Sequence, residues 1–170
     1  SDSYVYRLVR SVDTQHGLLM SYPEASFKQV QIFNKVDYWC QHADAFIPGF
    51  MGPDGFGRWD VLIPNSTMID CSLITPSSRI NKPDYNSKKV IISHSPNHRG
   101  VKGTEFIVRA VEELRAEGYD VELKVFEGLK NHEIITVLSS EVDIHIDQIV
   151  MCGHGLNALE AMACGVPVVT

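Results

Sequence analysis

From Lys89 onward the sequence alternates between two hydrophobic periodicities, and this alternation restricts the possible folds more than any other feature of the chain. Short apolar runs typical of strands are separated by segments whose apolar residues recur every three or four positions, as they do on one face of a helix. A regular succession of strand and helix predicts a parallel sheet with crossover helices on its faces. We therefore predict an α/β fold for this part of the chain.

The predicted elements are joined by short, turn-rich segments. Predicted strands cover 90–92, 121–125, 142–146 and 166–169. The predicted helices are one with Phe106 and Leu114 on its apolar face that ends at Gly118, a weaker one at 131–138, and one at 156–163 that ends at Gly165. The sequence stops at Thr170, directly after a strand that crossover helices should bury on both faces. We therefore expect the domain to continue beyond the residues given.

The first 87 residues have a different pattern. Helix-like stretches at 6–20 and 26–40 precede strand-like segments at 45–47 and 60–63, with a glycine-rich turn at 51–57 between the two strands. Residues 64–83 are polar and rich in Pro, Ser and Asn, and so long a stretch is unusual inside a compact domain. The predicted organisation has three parts: the tail of a first domain at 1–64, a connector at 65–87 and a partial parallel-sheet domain at 88–170.

Composition excludes several classes of protein. The formal net charge of −6 argues against a nucleic-acid partner, because affinity for phosphate backbones comes from clustered Lys and Arg. The four cysteines show no C-x-x-C spacing and are expected to be buried thiols. The apolar runs fall far short of the ~18 residues of a membrane helix. No secretory leader is recognisable in the first residues, so we expect a cytoplasmic protein.

The first candidate site is the segment 94–103, which we interpret as the loop between the first strand and the first helix. In open parallel sheets, ligands bind beyond the carboxyl ends of the strands, where helix N-termini direct free N–H groups at anions. Arg99 and Lys102 would add two cations there, and a diphosphate is the ligand that such a site suits. The alternative is that both are solvated loop charges, because the segment matches neither the dinucleotide-binding nor the P-loop pattern.

The second candidate site is the turn Gly153-His154-Gly155 and the helix that follows it. Its two glycines allow backbone N–H groups to approach a ligand closely at the start of a helix. Glu160 lies about one and a half turns into that helix, where a carboxylate can accept hydrogen bonds from vicinal ribose hydroxyls. The alternative is that Glu160 is a solvated helix residue.

Three histidines, His94, His98 and His154, fall within these two segments. The chain contains no H-x-x-x-H pair of the kind that binds zinc on a helix, and Asp143 and Asp147 would need a further partner to form a cation site. We therefore assign no metal ligands.

Together the two segments resemble a known family. Residues 94–170 are similar to the C-terminal, donor-binding domain of GT-B glycosyltransferases, in the large retaining group that includes glycogen and sucrose synthases. The matching residues are Arg99-x-x-Lys102-Gly103 after a strand, and the string G-L-x-x-L-E-A-M-A-x-G-V-P-V that begins at Gly155. The resemblance implies a Rossmann-like parallel sheet of GT-B type, truncated at both ends, with 45–69 near the join of the two domains.

The resemblance also implies an activity and roles for individual residues. The activity is hexosyl transfer from a nucleotide-diphosphate sugar to a glycan or lipid-linked acceptor, as in polysaccharide biosynthesis, without a cofactor or an essential metal. The implied roles are diphosphate binding by Arg99, Lys102 and Gly155, a loop beside the sugar and phosphates formed by Gly153 and His154, and ribose binding by Glu160. Cys152 stands where the family has a glutamate that faces the donor sugar.

The resemblance places the general base and the acceptor contacts in an N-terminal domain. The chain contains only the tail of that domain, so no catalytic residue is assigned. The same missing region would carry any peripheral membrane contact. Two other functions stay open: a nucleotide-sugar epimerase of the same fold, and a nucleotide-binding module without catalysis.

Overall fold

A computed structural model describes residues 23–47, 58, 60, 61, 68–76, 89–150 and 154–170. The chain divides into two compact units between Met68 and Ile69. The helix predicted at 6–20 and the turn predicted at 51–57 lie outside the described residues. No helix within the described ranges is long and apolar enough to cross a membrane.

The first unit contains two helices, α1 at Pro23–Phe27 and α2 at Gln29–His42. The sequence predicted a single helix over 26–40, whereas the structure has a turn at Lys28 between two helices. Helix α2 ends at His42 and is followed by the C-cap residue Ala43, where the backbone is extended and the N–H group still donates to the Trp39 carbonyl at 3.0 Å.

The strand predicted at 45–47 is wrong. Phe46 is joined to Asp60 by two hydrogen bonds, but one of them comes from a side chain: the Asp60 N–H donates to the Phe46 carbonyl at 2.9 Å, and the Phe46 N–H donates to the Asp60 carboxylate at 2.6 Å. Arg58 forms an ion pair with that carboxylate at 2.8 Å and donates to the Cys40 carbonyl at 2.8 Å. Because a carboxylate stands where a strand would present a backbone carbonyl, no ladder is formed. Of the strand predicted at 60–63, Asp60 and Val61 are not in a strand and the other two residues lie outside the described ranges.

The second unit is an α/β structure built on an open four-stranded sheet in which every neighbouring pair is parallel. Its strands and helices are β1 Val90–His94, α3 Arg99–Lys102, α4 Thr104–Ala116, β2 Val121–Val125, α5 Asn131–Ser140, β3 Ile144–Ile146, α6 Leu156–Ala163 and β4 Val168–Val169. The alternation of strand and helix predicted from the two periodicities is confirmed, and the sheet is compatible with a Rossmann-like fold.

The strand order is β2-β1-β3-β4, and this order determines where a crevice can form. The chain leaves β1 toward β2 on one side and later returns to form β3 on the other side of β1. The segments that follow β1 and β3 therefore run in opposite directions, and such a topological switch point is where open parallel sheets bind ligands.

The core of the second unit includes residues of α5, residues of α6 and residues of the segments between the helices and strands. Its buried members are Ile74, Leu138, Val142, Ala161, Cys164 and Val166. Ile74 follows a short 3-10 turn at Cys71–Leu73, which begins where the Asp70 carboxylate accepts a hydrogen bond from the Ser72 N–H at 2.9 Å. Ile69 is partly buried against the same core. Part of the stretch 65–87, predicted as a connector, thus packs on the parallel-sheet unit.

Two boundaries differ from the sequence predictions in a way that matters for function. Strand β1 continues beyond the predicted 90–92 through Ser93 and His94, the second of which was predicted to begin a loop, and both side chains are fully buried. The supposed loop also contains the single-turn helix α3, which ends at Gly103 in the left-handed conformation with φ 74°. Arg99 and Lys102 therefore lie on a defined turn of helix.

Gly103 provides a test of how α3 packs. A Cβ atom added there would lie 2.6 Å from Ile149 Cγ1, whereas one added at Gly128, which has nearly the same φ of 72°, would meet nothing within 4 Å. Both Ala substitutions carry the conformational cost of a positive φ. We expect Gly103→Ala to lower the free energy of unfolding by about 1 to 2 kcal/mol more than Gly128→Ala, the excess being the cost of overpacking. Urea unfolding of the two variants measures this difference, and equal losses would show that α3 does not pack against Ile149.

Candidate functional site

The candidate site lies at the switch point, where β1 and β3 end side by side. His94, the last residue of β1, pairs in register with Ile146, the last residue of β3. Helix α3 follows β1, and Asp147 follows β3 directly. Gly155, the N-cap residue of α6, comes eight residues after Asp147, and its N–H donates a hydrogen bond to the Asp147 carboxylate. These three segments bring the two candidate regions of the sequence together.

Lys102, Asp147 and Gly155 form one connected set, which we call the Lys102 group. The Lys102 ammonium donates to Asp147 Oδ1 at 2.5 Å, and the Gly155 N–H donates to Asp147 Oδ2 at 2.5 Å. The side chain of Lys102 is 10% exposed and that of Asp147 is 1% exposed. Two of the three residues predicted to bind a diphosphate, Lys102 and Gly155, thus already bind an anion, the Asp147 carboxylate.

Gly155 is the N-cap residue of α6, where free backbone N–H groups and the helix dipole favour negative charge. A Cβ atom at this position would lie 2.6 Å from Lys102 Nζ and 3.0 Å from Asp147 Oδ1. The absence of a side chain at Gly155 therefore allows the ammonium and the carboxylate to approach the start of the helix. The sequence predicted close backbone approach at Gly155, and in the structure its N–H lies against an anionic group, the Asp147 carboxylate.

Arg99 has a different environment from Lys102, although both lie on α3. Its guanidinium forms an ion pair with Glu127 at 2.9 Å, and the two side chains are 53% and 50% exposed. Exposed ion pairs contribute only about 0 to 1 kcal/mol, so Arg99 can exchange Glu127 for a polyanion at little cost. Arg99 is thus an accessible cation beside the buried Lys102 group.

Glu160 is buried on α6, with 5% of its surface exposed, and is therefore not a solvated helix residue. Its Oε1 accepts a hydrogen bond from Asn131 Nδ2 at 2.7 Å, and its Oε2 accepts one from Asn157 Nδ2 at 2.9 Å. We call these three residues the Glu160 group. The two asparagines were missed by the sequence analysis, and their only local signal is their position in the first turns of α5 and α6.

The other residues predicted in these segments have separate surroundings. His154 is half-buried directly before Gly155, and His98 is half-buried directly before α3. Gly153 and Cys152 lie outside the described residues. His94 is not a loop residue: it lies in β1, fully buried, between α4 and β3.

The hydrogen bonds of His94 establish its tautomer. Its Nδ1 lies 2.8 Å from the Ile146 carbonyl, which can only accept, so Nδ1 carries the proton. Its Nε2 lies 2.8 Å from Thr104 Oγ1 and accepts from that hydroxyl. Burial lowers the pKa of His94, which keeps the ring neutral. His94 thus joins β1 to β3 and to the start of α4.

His145 occupies β3 opposite Ser93 of β1 and is also fully buried. Its Nδ1 lies 2.9 Å from Ser93 Oγ. Burial lowers the pKa of His145 to about 4, although the nearby Asp147 carboxylate acts in the opposite direction. Both histidines are therefore neutral near pH 7 and act as uncharged parts of the sheet beneath the site.

The Lys102 group and the Glu160 group both include residues of α6: Gly155 is its N-cap residue, and Asn157 and Glu160 lie within it. Gly155 and Glu160 are five residues apart, which corresponds to about 7.5 Å along a helix axis. The end near Gly155 combines a cation with a helix N-terminus and suits an anion. The end near Glu160 presents a carboxylate and suits hydroxyl or N–H donors.

Fold and site together define an α/β protein with an open parallel sheet and, at its switch point, a buried ion pair of Lys102 and Asp147 beside the start of a helix. Comparison with protein-family models, with curated proteins and with solved structures finds no match.

Proposed function

We propose that this chain binds a nucleotide-diphosphate sugar at the switch point and supplies the donor-binding half of a glycosyltransferase of GT-B type. The observation that carries the proposal is the spacing of Gly155, at the start of α6, and Glu160, farther along the same helix. An anion-binding end at Gly155 and an acceptor-rich end at Glu160 match the diphosphate and the ribose of one nucleotide.

The anion-binding end would act on the leaving group of sugar transfer. As the sugar departs, negative charge grows on the nucleoside diphosphate, and cations and helix N-termini placed beforehand stabilise that charge. Arg99 is accessible for this role. Lys102 has three N–H donors, one of which binds Asp147, so its ammonium has the capacity to bind a phosphate oxygen beside that carboxylate.

A second candidate function is nucleotide binding without catalysis. It is favoured by Cys152, which stands where the resembling family has a glutamate that faces the donor sugar. The two functions differ in what happens to a bound nucleotide sugar. A transferase releases nucleoside diphosphate in the presence of an acceptor, an epimerase leaves the altered sugar on the nucleotide, and a binding module changes neither.

Calorimetric titration of the chain with a panel of nucleoside diphosphates, without added metal, tests the proposal. We expect one diphosphate to bind, and Arg99→Ala and Glu160→Gln each to weaken it by about 1 to 3 kcal/mol, which is about 5- to 150-fold in Kd. Lys102 is a poor choice for this test, because substituting it breaks a buried ion pair.

Arg115→Ala is the matched control. Arg115 is an exposed cation in the last turn of α4 and donates to the Val121 carbonyl at 2.9 Å, at the amino end of β2 and thus at the opposite edge of the sheet. Its substitution should leave the affinity unchanged. Equal losses in Arg99→Ala and Arg115→Ala would indicate nonspecific attraction of anions, and a folded chain that binds none of the diphosphates would refute the proposed function.

A further inference from the structure

Buried charge limits how a free phosphate can bind at the switch point. Among the residues that the structure describes, the buried side chains with a formal charge are those of Lys102, Asp147 and Glu160. The buried histidines His94 and His145 are neutral, because burial lowers the pKa of each ring. The described part of the chain thus buries one cation and two carboxylates, so the site attracts an anion less than its position at a helix N-terminus suggests.

Asp147 takes up the donors that a phosphate oxygen would use. Its Oδ1 accepts a hydrogen bond from the Lys102 ammonium at 2.5 Å, and its Oδ2 accepts one from the Gly155 N–H at 2.5 Å. The Asp147 side chain is 1% exposed, so its carboxylate is enclosed by protein. A phosphate that uses the remaining N–H groups of Lys102 therefore lies beside a negative charge, and water screens their repulsion only weakly there.

A phosphate alone has few contacts that offset this repulsion. Arg99, the other cation of α3, is 53% exposed, and water and salt screen its attraction for an anion. A nucleotide brings in addition a nucleoside with hydroxyl and N–H donors, which suit the carboxylate of the Glu160 group. A like charge placed against the wrong ligand is a common source of specificity.

We infer that Asp147 is a specificity-determining residue that acts as a competitor built into the site: its carboxylate holds Lys102 and Gly155, so that phosphate or pyrophosphate alone does not occupy the site and binding requires contacts from the rest of the nucleotide. The inference rests on the proposed function, which places the diphosphate of the ligand at Gly155. It gives Asp147 a role in binding in addition to compensating the buried charge of Lys102.

Calorimetric titration of the full chain with inorganic pyrophosphate, in phosphate-free buffer without added metal, tests the inference. We expect wild type to bind pyrophosphate with a Kd above about 1 mM, and a nucleoside diphosphate at least about tenfold more tightly. Asp147→Asn should bind pyrophosphate about 30-fold or more tightly than wild type does, because the like charge is gone and Lys102 has lost its negative partner.

Asp147→Asn should also be less stable, so urea unfolding of this variant and of wild type is followed by circular dichroism with and without pyrophosphate. Pyrophosphate should raise the urea midpoint of the variant more than that of wild type, because tighter binding stabilises the folded state more. If the variant is unfolded without ligand, pyrophosphate should restore its helical signal. A variant that pyrophosphate stabilises no more than wild type overturns the inference.

Two further variants serve as controls. Lys102→Met combined with Asp147→Asn removes both charges and should bind pyrophosphate as weakly as wild type, since no uncompensated ammonium is left. Glu127→Gln removes the same charge from the exposed partner of Arg99 and should raise the affinity by about fivefold at most. Equal gains in Glu127→Gln and Asp147→Asn would show that only the net charge matters and would overturn the inference.

The outcomes separate this inference from the proposed function. A wild-type protein that binds pyrophosphate as tightly as a nucleoside diphosphate contradicts the inference and leaves the proposed function intact. If wild type binds no nucleoside diphosphate but Asp147→Asn binds pyrophosphate, the proposed function is wrong, whereas the effect of Asp147 on phosphate binding is confirmed.

Discussion

Asp147→Asn is expected to lower the free energy of unfolding by about 3 to 5 kcal/mol, because it leaves the buried Lys102 ammonium without its negative partner. The substitution changes little in shape, and the Asn carbonyl oxygen can still accept the Gly155 N–H. The predicted loss is therefore due to the uncompensated charge. Urea unfolding at pH 7 measures it.

Glu127→Gln provides the control for this prediction. It breaks the ion pair between Arg99 and Glu127, whose two side chains are each about half exposed. The free energy of unfolding should therefore fall by less than about 1 kcal/mol. The double variant Lys102→Met with Asp147→Asn should recover much of the lost stability, because it removes both charges and keeps an acceptor for Gly155. Equal losses in Asp147→Asn and Glu127→Gln would mean that Lys102 is solvated.

The order and type of the elements in the second unit could be predicted from the sequence, because each depends on local patterns. Apolar residues at helical spacing predicted α4, and glycine predicted its end at Gly118, where φ is 96°. Gly165, with φ 76°, ends α6 in the same way. These signals lie within a few residues of the structure they specify.

The end of β1 could not be predicted, because its last two residues are polar. Ser93 and His94 can be buried because their polar side chains form hydrogen bonds with His145 and with the Ile146 carbonyl. Each of these partners lies 52 residues farther along the chain. A single sequence contains no record of that pairing. The pattern Ser-His-Ser-Pro therefore favoured a loop over a strand.

The candidate site was predictable in position but not in its internal contacts. Arg99 and Lys102 could be placed at the carboxyl end of a strand, where ligands bind in such folds. That Lys102 is paired with Asp147 depends on β3 lying beside β1, and the sequence does not specify the strand order. Asn131 and Glu160 likewise meet across 29 residues, from two different helices.

The free energy of unfolding should also fall as the pH is lowered from about 6.5 to about 4, because the folded protein holds the buried His145 in its neutral form. The pKa of His145 is lowered by burial to about 4, whereas an unfolded histidine has a pKa of about 6.5. Between these two values the unfolded chain binds a proton that the folded chain does not, so the free energy of unfolding rises with pH in this window. Above it the contribution of His145 is constant and fully present.

The expected loss from His145 across that window is about 3 kcal/mol, at about 1.4 kcal/mol for each unit of pKa difference. Burial also lowers the pKa of His94, which adds a change of the same sign. His145→Asn should remove the part of this loss that is due to His145, since Asn does not titrate. Between pH 4.5 and 6, the slope of its free energy of unfolding against pH should be smaller than that of wild type by an amount equivalent to up to one bound proton, about 1.4 kcal/mol per pH unit.

Ser93→Ala separates titration from packing. It removes the hydroxyl that lies 2.9 Å from His145 Nδ1 but keeps the imidazole buried, so stability should fall while the pH dependence stays close to that of wild type. Urea unfolding of the three proteins at several pH values between 4.5 and 7.5 makes the comparison. An unchanged slope in His145→Asn would mean that His145 is protonated as readily in the folded protein as in the unfolded chain, and so that β3 is open to water beneath the site.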